Sequence, residues 1–190
     1  IVPRGNSLGA AWYLPQERQI TTREQIFDEV CMALGGRAAE EVTFNTISTG
    51  ALSDLEKITK QAYASVSIFG LNEKIGNISF YDSSGQNDYA FTKPYSEKTA
   101  ETIDEEVKKF IDAAYDRTVA LLRENKDKLD ALAVRLLDKE VIFKEDLEEI
   151  FGKRPFDNKE EETKTTINGN AVQQHESETE PSAASSAETN

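Results

Sequence analysis

The feature that most constrains the fold is a run from residue 96 to residue 151 in which apolar side chains recur every three or four positions. This spacing lines them along one face of an α-helix, and such a face must be buried against other helices. A polar break around Asn125 divides the run, and a short last helix is expected from Lys144 to Gly152. The chain is therefore predicted to be mainly α.

Another helix is predicted from Thr21, because Thr21 and Glu24 have the spacing of a capping box. Gly35 and Gly36 lie inside this apolar pattern. Either the helix ends there, or the missing side chains let another backbone approach closely.

A further helix is predicted to begin near Ser53, which stands three residues before Glu56 and so suggests a second capping box. Its apolar face is followed by Gly70, a plausible C-cap. Asp54 lies in the first turn. A carboxylate at this place is either a partner of the positive helix end or a ligand, and the local sequence favours the first.

Two β elements are expected. Pro and Gly punctuate the first twenty residues around short apolar runs, which favours a small N-terminal ribbon. A short strand is expected near residues 78–81, inside a long loop.

Composition limits the function. The chain has 190 residues, 38% of them hydrophobic, and 22 basic against 35 acidic residues give a net charge of -13, which argues against a nucleic-acid partner. No apolar segment is long enough to cross a membrane, so we expect a soluble fragment. Cys31 is the only cysteine, so no internal disulfide forms, and a buried, inert thiol is favoured.

The two ends of the chain suggest a fragment with a polar tail. Residue 1 is Ile rather than Met, which predicts that a longer product precedes it. Residues 156–190 are rich in Glu, Ser, Thr and Asn, and we expect an acidic, disordered tail. The domain is accordingly placed at residues 1–155.

Catalytic equipment is sparse. There is no Gly-rich phosphate loop or nucleophile elbow, and the only histidine, His175, lies in the predicted tail. A zinc hydrolase needs three protein ligands and an open position, so the chain does not make one by itself.

Several motifs in fixed order nevertheless resemble the protease domain of the FtsH family over roughly residues 1 to 155. They are "IVPRGNSLGAAWYLP", "GGRAAEE", "STGALSDLEKIT", "FGLNEKIG" and "KPYSEKTAETIDEEV". The resemblance implies a membrane-anchored, ATP-dependent zinc metalloprotease that works as a homohexamer. It also implies a helical peptidase domain on the cytoplasmic side of a bacterial inner membrane, degrading unfolded or membrane proteins.

The resemblance changes the interpretation of Asp54. The family holds Zn²⁺ with two histidines of an H-E-x-x-H helix and an aspartate that opens the later "STGA" helix, and Asp54 matches that aspartate. The H-E-x-x-H motif, and the ATPase module with its ATP and Mg²⁺, would lie before Ile1. The fragment is thus predicted to hold no catalytic residue and to be inactive. Glu40 is a candidate for orienting a zinc-bound histidine, with a structural salt bridge as the equal alternative.

The N-terminal ribbon is predicted to lie on the rim of the parent's cleft, where an extended substrate pairs with it by strand addition. The residues concerned are Gly9, Ala10, Ala11, Trp12, Tyr13 and Leu14. The alternative for the whole chain is a non-catalytic helical module for oligomerisation or partner docking.

Overall fold

A computed structural model describes residues 19–81 and 94–153 of the chain. The predicted β ribbon at residues 9–14 and the predicted tail lie outside the described residues. The described residues divide into two compact units, one that ends at Asp130 and one that begins at Ala131. The α-helices are α1 (Arg23–Phe44), α2 (Leu52–Ser67), α3 (Glu97–Glu124), α4 (Lys126–Lys139) and α5 (Lys144–Phe151).

The prediction of a mainly helical chain is confirmed for the described residues, and the polar break falls at Asn125, between α3 and α4. None of these helices is long and apolar enough to cross a membrane.

Helix α1 begins one residue later than predicted. Thr22, not Thr21, is the N-cap: its hydroxyl accepts a hydrogen bond from the Gln25 backbone N–H, and the Gln25 side chain accepts one from the Thr22 N–H. Gln at the third helical position completes a capping box as well as Glu does. The capping box therefore forms between Thr22 and Gln25, and not between Thr21 and Glu24 as predicted.

The two glycines do not interrupt α1, which continues through them to Phe44. Nor do they admit a close neighbour, since a Cβ built on Gly35 or Gly36 meets no described atom within 4 Å. Both interpretations of this pair therefore fail within the described part of the chain. A glycine inside a helix costs about 1 kcal/mol relative to alanine.

The core of the first unit lies between α1, α2 and α3, each of which packs against the other two. One cluster joins Val30 and Leu34 of α1 to Ile58 of α2 and Ala114 of α3. A second cluster joins α2 and α3 through Ala62, Val66, Ile103 and Val107. Much of the apolar stripe of α3 is thus buried against α1 and α2, although Leu121 near its end is 57% exposed.

The segment after α2, residues 68–81, is held by individual hydrogen bonds and not by the regular hydrogen bonds of a β-sheet. The predicted C-cap at Gly70 is wrong, because α2 ends at Ser67 and Ile68 is its C-cap. Gly70 follows two residues later with a positive φ of 64°. The predicted strand at residues 78–81 is wrong, because the Phe80 N–H donates to the Ser67 carbonyl at 2.8 Å and no strand is assigned in this described stretch.

In the second unit, Asp146 fastens α5. One carboxylate oxygen accepts a hydrogen bond from the Phe143 backbone N–H at 3.1 Å, just before the helix. The other pairs with Arg135 at 2.9 Å and with Lys139 at 2.5 Å, both on α4. The hydrogen bond from Lys139, followed by that from the Phe143 backbone, lowers the pKa of Asp146 to about 2.

This pKa predicts where α5 loosens in acid. The carboxyl group has a pKa near 3.9 in an unfolded chain, so its stabilising contribution is complete above about pH 4 and is lost as the pH falls through about 2. Asp146→Asn should produce the same loosening at neutral pH. Amide hydrogen exchange in α5 measures it, with the neighbouring Glu145→Gln as control. Unchanged protection of α5 in Asp146→Asn would contradict the expectation.

Candidate functional site

Asp54 lies in the first turn of α2, with an exposed side chain. Within the described residues its carboxylate has no hydrogen bond or ion pair, although the helix end gives it a favourable field. With no partner among the described residues, this carboxylate is available to a cation as a single oxygen donor.

The start of α2 differs from the prediction. Ser53 is not a cap, because α2 already begins at Leu52, after Ala51, which makes no side-chain cap bond. Glu56 is paired instead with Lys60, one turn further along, at 2.5 Å. A short 3₁₀ helix, Thr49–Ala51, leads into α2 and begins at Ser48, whose hydroxyl accepts from the Gly50 N–H at 3.2 Å. The serine that organises this start therefore lies five residues upstream of the one predicted.

Glu40 holds that start in place. From the last turns of α1, one carboxylate oxygen accepts a hydrogen bond from the Ser48 N–H at 2.9 Å, and the other accepts from the Ser48 hydroxyl at 2.7 Å. These two bonds, the side-chain bond first, lower the pKa of Glu40. The structure thus gives Glu40 a role that neither sequence interpretation anticipated: it ties α1 to the segment that carries Asp54.

Glu41, the next residue along α1, attaches the C-terminal end of α1 to α3. The Tyr115 hydroxyl, from α3, donates to Glu41 at 2.6 Å, and Arg123 lies 3.5 Å from the other Glu41 oxygen. Burial, followed by the bond to Glu41, raises the pKa of Tyr115 to about 12. Sequence reasoning missed this contact, since nothing local links Glu41 to a residue 74 positions away.

Among the described residues, the candidate site supplies a single metal ligand, the carboxylate of Asp54. Within the described residues no three His, Cys, Asp or Glu side chains are grouped so as to hold a metal ion. Asp54 supplies a hard oxygen donor of the kind that zinc accepts beside histidine nitrogens. The remaining donors of any such site would come from elsewhere in a longer protein.

Comparison of the whole chain with known protein families agrees with the family resemblance that the motifs around Asp54 indicate. The sequence pattern of Peptidase family M41 matches residues 1–150. The chain belongs to this family.

Relatives within and beyond bacteria carry the same segment. An "ATP-dependent zinc metalloprotease FtsH" of Parabacteroides distasonis is 60% identical over 85% of this chain and 24% of its own length. One of the same name from Karelsulcia muelleri is 58% identical over 79% of this chain and 24% of its own. The mouse "Mitochondrial inner membrane m-AAA protease component AFG3L2" is 52% identical over 84% of this chain and 20% of its own length. The M41 chain thus spans about a quarter of these relatives or less.

Proposed function

We propose that this chain is the C-terminal part of the peptidase domain of an ATP-dependent zinc metalloprotease, in which Asp54 is the third zinc ligand. The observation that carries the proposal is the exposed carboxylate of Asp54, which has no hydrogen bond or ion pair among the described residues. It lies at the start of a helix fixed through Glu40 and Ser48. Zinc in such a site activates a water molecule for peptide hydrolysis. The two histidines and the general base would come from an H-E-x-x-H helix upstream of Ile1.

Exposed apolar groups at the end of α1 and the start of α2 support a further segment packing on this part of the unit. Phe44, the last residue of α1, is 71% exposed, and Leu52, the first of α2, is 73% exposed. Single exposed apolar residues are common, but two large ones at the end of α1 and the start of α2 are what a further helix would cover.

The glycine pair of α1 supports the same arrangement. Gly35 and Gly36 face open space in the described structure, and glycine lets a second helix approach closely. The cost of two helical glycines has no compensation in the described contacts. We therefore place the upstream metal-bearing helix beside this part of α1.

Gly36→Ala tests that placement through two opposite effects. In the 190-residue chain it should stabilise the fold by up to about 1 kcal/mol, because a helical alanine is better than glycine and space is available. In the full-length parent it should lower proteolysis, because the methyl group separates the two helices. Urea unfolding and peptidase assays measure both. Gly76→Ala is the control: its φ of 75° should make alanine destabilising in both proteins. Full peptidase activity of Gly36→Ala would contradict the placement.

The parent is further proposed to bind ATP and Mg²⁺ in a preceding ATPase module and to act as a homohexamer on unfolded or membrane proteins. We place it in a bacterial inner membrane with this domain on the cytoplasmic side. The substrate-strand candidate, residues 9–14, stays a prediction. Sedimentation of the purified parent tests the hexamer, since a monomer at all concentrations would refute it.

A non-catalytic helical module is the alternative. It predicts no H-E-x-x-H motif in the reading frame upstream of residue 1, and no zinc in the purified parent. The family match and the names of the relatives favour the protease.

A further inference from the structure

A cavity of about 340 Å³ lies in the first unit, away from Asp54. It opens between the first turns of α1 and the middle of α3, and Asn72 from the loop after α2 closes one side. Its volume lies at the lower end of the range of small-molecule sites, and the cavity is open to solvent on one side. The lining combines an apolar part with charges of both signs.

The apolar part is formed by Phe27, Phe110 and Ala113. The two phenylalanine rings meet edge to face, with centroids 5.3 Å apart and planes at 81°. Both rings are only partly buried, so their free edges and faces line the opening. An apolar side chain of a ligand would find a preformed, rigid contact surface here.

Three cations lie in the lining. The Arg117 guanidinium stands over the Phe27 ring at 5.5 Å and pairs with Asp28 at 2.7 Å. Arg23 pairs with Glu73 at 3.4 Å, and Lys109 lies 3.9 Å from Glu106. The Arg117 and Arg23 pairs are exposed, and the Lys109 side chain is 73% exposed. Exposed pairs are weak, so all three cations are available to a carboxylate.

Two carboxylates line the same cavity. Glu24 is exposed at the start of α1. Glu106 is the unusual one, since its side chain is only 8% exposed. One of its oxygens accepts from the Asn72 amide at 2.9 Å and the other lies 2.6 Å from the Lys74 ammonium. The hydrogen bond from Asn72, followed by that from Lys74, lowers the pKa of Glu106, which is therefore a fixed negative charge.

We propose that this cavity binds a short apolar peptide with free termini. Its carboxylate would contact Lys109 and Arg117, its apolar side chain Phe27 and Phe110, and its ammonium the exposed Glu24. The fixed negative charge of Glu106 would attract that ammonium without contacting it. A ligand of one sign would be repelled by the like charges of the lining, whereas a zwitterion is attracted by both the three cations and the two carboxylates. The proposal does not rest on the zinc site, because none of these residues contacts Asp54 or Glu40.

Calorimetric titration of the 190-residue chain with the dipeptide Leu-Phe tests the proposal. We expect saturable binding, at least about tenfold weaker for N-acetyl-Leu-Phe-amide, because each terminus loses a charge-assisted hydrogen bond. No saturable heat, or equal affinity for the capped peptide, would overturn the proposal.

Two variants locate the site. Ala113→Leu should fill the cavity and reduce binding, with circular dichroism checking the fold. Lys109→Ala should weaken Leu-Phe by about tenfold while leaving the capped peptide unaffected. Lys98→Ala, on an exposed position of α3, is the matched control and should bind like the wild type. Undiminished binding to a folded Ala113→Leu or to Lys109→Ala would place the peptide elsewhere and refute the assignment.

Discussion

Asp54→Asn in the full-length parent should remove most of the bound zinc and most of the peptidase activity while leaving the domain folded. Asn keeps the size of the side chain and is accepted at helix starts, but it lacks the negative charge of the ligand. Changing residues that only support a metal ligand costs about 10–100-fold in metal affinity, so loss of a ligand should cost more. Elemental analysis and peptide cleavage measure the two effects, and a thermal melt checks the fold.

The competing interpretation gives the opposite pattern. If Asp54 only interacts with the positive end of α2, the substitution costs up to about 1 kcal/mol of stability and leaves the metal in place. Ser53→Ala is the matched control, because Ser53 is exposed in the same turn and is not the helix cap. Full zinc occupancy in Asp54→Asn would rule Asp54 out as the ligand. The 190-residue chain, with one carboxylate donor, should purify without stoichiometric zinc.

Glu40→Ala should reduce zinc affinity of the parent by about 10–100-fold, the range seen when a supporting contact of a ligand is lost. Without Glu40, Ser48 loses both bonds that attach the start of the 3₁₀ helix to α1. The first turn of α2 then becomes less ordered, and Asp54 is no longer held at a fixed position. Competition with a chelator measures the affinity, and amide exchange near Gly50 measures the order.

Two substitutions separate this role from a general loss of charge. Ser48→Ala removes the hydroxyl bond but keeps the backbone bond to Glu40, so its effect on zinc should be in the same direction and smaller. Glu56→Gln removes a nearby acid whose partner is the exposed Lys60, and zinc affinity should not change. Equal zinc affinity in Glu40→Ala and Glu56→Gln would contradict the positioning role.

The periodic apolar residues were sufficient to predict the helices, their approximate ends and the polar break at Asn125, because the 3.6-residue repeat is a local property of the chain. The order of short motifs was sufficient to identify the family. Asp54 could be identified as the candidate ligand from the sequence as well, because the criterion was its position just after the "STGA" motif.

The tertiary structure decided how residues distant in sequence are combined. Two adjacent capping pairs competed at α1, and the pair at Thr22 and Gln25 formed, a difference that spacing rules do not resolve. The link from Glu40 to Ser48 crosses from one helix to the start of another, and the cavity around Glu106 draws on α1, α3 and a loop. Such contacts depend on how the helices pack, because packing brings together side chains that no local pattern connects. The sequence alone therefore determined the helices and the candidate ligand, whereas only the packed structure determined what holds that ligand in place.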